Sequence, residues 1–456
     1  CGWACRNEPP TACREGCACG CIDVSMDVSG ATLVTQEDSR RIRTNSAWMM
    51  SEQVIRQALS LVLTIWITRA LGPEGFGRLS FALSLYALLA ITTTLGLNRI
   101  MVREFAATSD ASFERRLFST ALAMRLMAAA IVSVLAVVIC LLIAPSDAKL
   151  VAILVLGYFF TAFDLVDLLF QSHLRSREVA RSRLLAFLAS SAVKAALLVS
   201  GAGIHLIAAA CLLDWVAMAA GLIWLSHRRI GILSLPRPDW SIAALLFAES
   251  RIEIIAGFSG LAFMKIDQVM LQIMRGPAEV ATMAVSSRLT EAWYFIPAAL
   301  VASTFPVIVK LDAVAPERAI ARLKSLYRSL VFLGVIAGLG AEIFASRFIT
   351  LAYGKAFLPA APVLAIQIWC GTFMSLGIAS GAWLMAHRLG MLNLRRNVLG
   401  MLINVGLNLL LIPEHGAIGS AWATLAAFAF AYLAYDFLDP KMYAIGRHKL
   451  LAFVWR

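Results

Sequence analysis

Charged side chains interrupt segments that are otherwise apolar, and they are the residues here with chemistry to offer. Glu52 and Arg56 are spaced i and i+4, one face of any helix that carries them. Arg251, Glu253, Lys265 and Asp267 share one apolar segment, and Arg288 and Glu291 share the next. Arg125, Asp164, Asp167, Lys194, Asp214 and Glu342 are spread over five others. An ionisable group in hydrocarbon is costly and marks a cavity, an ion path or a buried partner. Arg56, Lys265 and Arg288, with Lys194, are expected to line a cationic cavity. Arginine's planar fork suits phosphate, and lysine acts as a point charge. Such a cavity suits an anion of the pyrophosphate kind, with Glu52, Asp267 and Glu291 holding the cations when it is empty. The plainer readings stand beside this one. Glu52–Arg56 is then a structural helix pair, and Arg125, Arg251 and Glu253 snorkel from the ends of their segments. Asp164, Asp167, Asp214 and Glu342 are candidates for interhelical hydrogen-bond networks or for coupling to protons or ions.

Membrane-crossing helices must position these groups. A bilayer core of roughly 30 Å takes about 20 apolar residues as helix. Segments of that kind are expected at 46–68, 79–101, 120–144, 150–170, 182–202, 204–226, 252–274, 283–309, 327–348, 361–385, 391–412 and 417–438. Composition agrees: 60% of residues are hydrophobic and 15% charged, where soluble domains run to about 25% charged. The fold class is thus an all-α polytopic membrane protein with about twelve transmembrane helices. The net charge of +12 does not point to nucleic acid, because its Lys and Arg sit in short loops. On one side those loops hold 26 Lys and Arg, and on the other 6. The positive-inside rule puts the rich side, and with it both termini, in the cytoplasm.

The expected organisation is a cytoplasmic leader over 1–45, a six-helix lobe over 46–227, a cytoplasmic linker over 228–250, a second six-helix lobe over 251–438 and a cytoplasmic tail over 439–456. Six of nine cysteines precede residue 22. Their spacings, C-x3-C and C-x-C-x-C, differ from the usual C-x2-C zinc pairs and no His accompanies them, so no metal site is expected. That stretch reads as disordered leader or translated upstream sequence, with Met26 a natural start. An internal echo supports two lobes: Leu71-Gly72-Pro73-Glu74 and Arg275-Gly276-Pro277-Ala278 lie 204 residues apart, and His173 and His387 each precede a basic loop. Transporters commonly bind substrate at such a repeat interface. Between spans, Glu317 to Leu330 is amphipathic and is expected to lie on the cytoplasmic membrane surface. Neither H-E-x-x-H nor a P-loop motif occurs, and the outer loops are short. No catalytic residue and no cofactor are expected; energy would come from a gradient or another protein.

Three tracts resemble the bacterial polysaccharide-biosynthesis flippases of the Wzx type. Asn45-Ser46-Ala47-Trp48 followed by Ile67-Thr68-Arg69-Ala70-Leu71-Gly72-Pro73-Glu74-Gly75-Phe76-Gly77-Arg78 resembles their opening. Ile266-Asp267-Gln268-Val269-Met270-Leu271 is similar to their seventh helix. Asn404-Val405-Gly406-Leu407-Asn408, with Leu411-Ile412-Pro413 and Ala421-Trp422-Ala423-Thr424, is similar to their last two. Ala281-Thr282-Met283-Ala284 departs from the family's usual Gly-Tyr step. The resemblance implies the multidrug/oligosaccharidyl-lipid/polysaccharide exporter fold, two lobes around a central cavity. It also implies translocation of undecaprenyl-pyrophosphate-linked oligosaccharide across a bacterial inner membrane by alternating access, for O-antigen, capsule or exopolysaccharide. Partners would be that glycolipid, membrane lipids and other polysaccharide assembly proteins. The alternatives are a cation-coupled multidrug exporter of the same superfamily, which would need an acidic cavity, a lipid II flippase, and a membrane assembly subunit that transports nothing.

Overall fold

The computed structural model describes residues 36–108, 110–173, 176–230 and 236–454; within these, the side chains of 36–52, 54, 176 and 228–230 are outside the description. Glu52 and the six leader cysteines therefore lie outside the described side chains. The described residues form helices α1 (Gln36–Thr93), α2 (Asn98–Ala107), α3 (Ala111–Ile143), α4 (Ala148–Val155), α5 (Gly157–Thr161), α6 (Leu165–Ser172), α7 (Ser176–Val199), α8 (Ile204–Ile230), α9 (Trp240–Met274), α10 (Pro277–Val314), α11 (Pro316–Ala352), α12 (Ala360–Ala386), α13 (Gly390–Tyr432) and α14 (Tyr443–Phe453). None of them is in a strand.

Among the described residues, ten stretches are long and apolar enough to cross a membrane. Two of these contain a glycine outside helical geometry: Gly72 in α1 (φ 66, ψ 178) and Gly416 in α13 (φ 55, ψ −134). Counting α1 and α13 as two crossings each gives twelve. Gly276 repeats the Gly72 backbone almost angle for angle (φ 90, ψ −178), and each is followed by a proline that opens the next helix. Only glycine adopts this conformation without strain, and proline loses nothing at a first helical position. The histidine echo is also structural. His173 (φ −90, ψ 10) caps α6 and His387 (φ −91, ψ 13) caps α12. Each faces a carboxylate from another helix, Glu114 at 3.2 Å and Asp312 at 3.1 Å.

Four expectations change. The segment 150–170 is broken into α4, α5 and α6, joined through Leu156 and a short 3-10 turn. The break accommodates Trp215, whose ring occupies the space that a Cβ on Gly157 would need. Backbone groups freed in a membrane must find partners; here Ser133 Oγ donates to the Val155 carbonyl at 3.2 Å. The amphipathic stretch 317–330 does not lie on the membrane surface. It is the first part of the continuous α11, and Leu323, Leu326, Tyr327 and Leu330 are buried in a core that includes Ile445 and Ala452 of α14. Its apolar stripe packs on other helices of the chain rather than on lipid. The linker is shorter than expected, since α9 begins at Trp240, its first turn capped by Asp239 accepting from the Ser241 amide at 3.0 Å. The tail carries α14, anchored by Lys449, which is fully buried against Asp436 at 2.6 Å.

The two lobes close on each other at the end that carries the glycine–proline turns. A Cβ on Gly77 would fall on the Pro277 carbonyl, so the two backbones touch there. Phe76 and Phe357 meet edge to face at 6.3 Å. Ser84 Oγ donates to Gln268 Oε1 at 2.7 Å, and Gln272 Nε2 donates to Asp147 Oδ2 at 3.0 Å. Asp147 also accepts from Arg78 at 2.5 Å. One apolar cluster, including Phe76 and Leu79 from one lobe and Val280 and Met283 from the other, seals this end.

Candidate functional site

Three helical stripes converge in the first lobe. On α1, Arg56, Ser60, Thr64 and Ile67 recur at helical spacing. On α7 the stripe is Arg183, Phe187 and Lys194, and on α8 it is Cys211, Asp214, Trp215 and Met218. Residues three, four, seven and eleven apart share one helix face, so each stripe points one way. Together they line two cavities of about 270 and 170 Å³ that share Ser60, Phe187, Asp214 and Trp215, and so form one groove. Arg288 of α10 reaches the same groove from the second lobe.

The groove is cationic. Among the described side chains, its walls carry Arg56, Arg183, Lys194 and Arg288 against one lining carboxylate, Asp214. Lys194 is buried and donates to Asp214 Oδ2. Arg183 donates from Nη2 to Asp167 Oδ2 at 2.6 Å. Arg288 is exposed and has no ion pair among the described residues. Phe187 and Trp215 form an aromatic wall, and two buried tyrosines back Trp215. Trp215 stacks on Tyr86 at 4.3 Å, and Tyr86 stacks on Tyr158 at 4.4 Å, whose hydroxyl donates to the Tyr86 carbonyl at 2.8 Å. Fixed arginines with a flat aromatic face can hold a phosphate and stack an apolar sugar face beside it.

The structure brings Arg56, Lys194 and Arg288 together, and it separates Lys265, Asp267 and Glu291 from them. Lys265 donates to Glu291 at 2.5 Å. Asp267 is buried, accepts from the Gln268 amide at 2.7 Å, and lines a small cavity of about 20 Å³ with Glu291, Thr290 and Gln367. Lys265 and Arg288 were placed in one cavity because both sit mid-span. The spacing between successive helices does not say which way each one faces.

Of the four carboxylates considered for coupling, Asp167 and Asp214 are the partners of groove cations. Asp164 lies in the field of Arg183 and Arg125, with one buried oxygen that accepts no hydrogen bond. Glu342 is exposed and stands apart on α11. Arg125 does not snorkel: it is fully buried, with Nη2 donating to Asn98 Oδ1 at 2.7 Å. Arg183, Phe187 and Trp215 were missed. The signal for Arg183 is its register, four residues before Phe187 and eleven before Lys194 on one helix face.

The sequence profile of the family described as "Polysaccharide biosynthesis protein" matches residues 42–312. The chain belongs to this family. Among curated proteins, it is similar to the probable low-salt glycan biosynthesis flippase Agl15 of Haloferax volcanii, 25% identical over 197 residues. That match spans 43% of this chain and 42% of the archaeal protein, under half of either. In fold, it is similar to an inward-facing multidrug resistance MATE transporter of the MOP superfamily, with a TM-score of 0.65 and 17% identity over 86% of this chain and 96% of that one. It is equally similar to the lipid II flippase MurJ in an inward closed conformation: TM-score 0.65 and 12% identity over 89% and 90% of the two chains. Among the described residues, this family member has the all-helical, two-lobe fold of those transporters, with apolar helices enough for multiple membrane crossings.

Proposed function

We propose that this Wzx-type protein moves undecaprenyl-pyrophosphate-linked oligosaccharide across a bacterial inner membrane by alternating access. The observation that carries the reading is the sign of the groove, four cations against one lining carboxylate among the described side chains. A cavity for cationic drugs needs the opposite balance. The pyrophosphate is held by Arg288 and Arg56, with Phe187 and Trp215 beside the first sugar and the polyprenyl tail left in the lipid. The lobes close at the glycine–proline end, so the groove loads from the arginine-rich end, assigned to the cytoplasm by loop charge. Lys194 and Arg183 enter the reaction cycle through their carboxylates. An arriving phosphate competes with Asp214 for Lys194 and with Asp167 for Arg183. The released carboxylates then offer places for a proton or metal cation, which couples loading to a gradient. This exchange costs little electrostatically only when each released carboxylate takes up that proton or cation, because each Lys or Arg then trades one anion for another and no buried charge is left unpaired.

The test is complementation of a strain that lacks its polysaccharide flippase, scored by surface polymer and by the side of the membrane on which lipid-linked intermediates accumulate. Restored polymer with no intermediates trapped on the cytoplasmic face supports the reading. Failure of well-inserted protein across several glycan backgrounds contradicts it.

A further inference from the structure

A second, larger cavity of about 740 Å³ lies at the arginine-rich end, where α2, α9, α12 and α13 meet. It shares no residue with the groove of Arg56 and Arg288. Its walls include Arg99, Arg388 and Arg396, with Glu253 as its one carboxylate. Arg396 is the unusual member. Its side chain is 1% exposed, and every hydrogen bond it makes goes to a neutral acceptor. Nε and Nη2 donate to Asn393 Oδ1 at 3.0 and 2.6 Å, Nη1 to Ser380 Oγ at 2.7 Å, and Nη2 to the Gly377 carbonyl at 2.8 Å. The guanidinium also sits 5.2 Å from the centre of the Tyr432 ring. Among the described residues no carboxylate forms an ion pair with it. The nearby Asp436 accepts from Lys449 through Oδ2 at 2.6 Å, both groups fully buried, and its Oδ1 accepts no hydrogen bond. Two buried cations thus share one buried anion. An uncompensated buried charge is costly, so its persistence calls for a counter-ion from outside the chain.

Two further features point into the same cavity. Arg388 ends α12 in the left-handed region (φ 59), with the Leu389 amide reaching back to the Leu384 carbonyl at 2.8 Å. Helices that end this way normally use glycine there, because a side chain is strained in this conformation. An arginine that accepts this strain and lines the cavity is held there for its side chain. Arg99 is mostly exposed and meets Glu253 only at 3.8 Å, so it too is available to an anion. The glycine at 381 leaves open the space next to Arg396 Nη2, which a Cβ would approach to 3.1 Å.

We infer that this cavity is a second anion site, in which Arg396, Arg388 and Arg99 bind a diphosphate group. The occupant is either free pyrophosphate or the pyrophosphate headgroup of a polyprenyl lipid. Its use as a landing place for cargo, ahead of the groove, rests on the proposed function; the binding itself does not.

The test is isothermal titration of the purified full-length protein in detergent with inorganic pyrophosphate. Two equivalents per chain are expected. The Arg56→Ala/Arg288→Ala double variant should keep one, and Arg388→Ala should weaken that remaining one at least tenfold. Arg396→Gln should abolish it. Should that variant fail to fold, Arg99→Ala, on an exposed side chain, gives the second reading with a several-fold loss. A short-chain prenyl pyrophosphate then separates the sources: tighter binding than inorganic pyrophosphate assigns the site to a lipid headgroup, and equal or weaker binding assigns it to the free anion. A single wild-type equivalent, eliminated by the Arg56/Arg288 variant and untouched by Arg388→Ala, overturns the site. Two equivalents in a protein that fails to complement would leave the site standing and sink the transport reading alone.

Discussion

In the first lobe, Lys194 meets Asp214 and Arg183 meets Asp167, whereas in the second, Arg396 is buried among neutral acceptors. The lobes share a repeat, with Gly72–Pro73 and Gly276–Pro277 in the same backbone conformation. The groove and the second cavity do not share a way of neutralising charge. Paired cations at the groove can exchange partners, which suits a site that must both load and release. A cation with no anion of its own holds whatever anion arrives. On the proposed reading, the contrast separates a site of transit from a site of capture, although both carry arginine.

The largest effect expected is on transit. Arg288→Ala and Arg56→Ala should each reduce polysaccharide export at least tenfold at normal membrane abundance, measured as surface polymer against immunoblotted protein. Export unchanged in both would break the comparison at its first term. Next is closure of the lobes. Gly77→Leu places a side chain on the Pro277 carbonyl and should hold the glycine–proline end apart. A cysteine introduced at Phe357 should then be labelled several-fold faster by a membrane-impermeant thiol reagent. Unchanged labelling would mean that this end is not the gate.

Gly157→Ala tests the aromatic wall without touching a charge. The added methyl displaces Trp215, so export should fall several-fold while pyrophosphate binding stays within about twofold. Equal loss of both would show that Trp215 shapes the charge cluster rather than the sugar face. Partner exchange is sharpened by a double-mutant cycle on Lys194→Met and Asp214→Asn. Groups in direct contact should give a non-additive result. Additive effects on export would deny that the pair acts as a unit.

The smallest effect is at the Asp239 cap of α9. The Ser241 amide and hydroxyl bonds hold this carboxyl below the usual carboxylate range. Its contribution to stability is therefore complete above the unfolded pKa of about 3.9 and is lost as pH falls through the lower folded value. The melting temperature of Asp239→Asn should fall slightly less than that of wild type between pH 5 and 3, by differential scanning fluorimetry.

Hydropathy and loop charge made the helices legible, and the Gly-Pro pair made their division into two lobes legible. A polar loop or a left-handed glycine interrupts an apolar run whatever the tertiary packing. The break in α4–α6 was not legible, because it is imposed by Trp215 of α8 pressing on Gly157, a contact between residues 58 apart. The same limit governed the sites. Arg56, Lys194 and Arg288 stood out as charges inside apolar runs, but which cavity each faces depends on helix rotation. Lys265 accordingly looked equivalent to Arg288 and is not. Arg396 sits close enough to a loop to be counted with its charges, and only burial revealed it.

The central claim is that the cationic groove carries a lipid-linked pyrophosphate across the bilayer. Its most direct test is reconstitution into proteoliposomes with a fluorescent polyprenyl-pyrophosphate oligosaccharide on one face, following its appearance on the other. The account predicts time-dependent transfer by wild-type protein, reduced at least tenfold in Arg288→Ala at equal protein incorporation. Transfer at the wild-type rate by Arg288→Ala and Arg56→Ala, or none by wild-type protein shown to be folded and inserted, would contradict it.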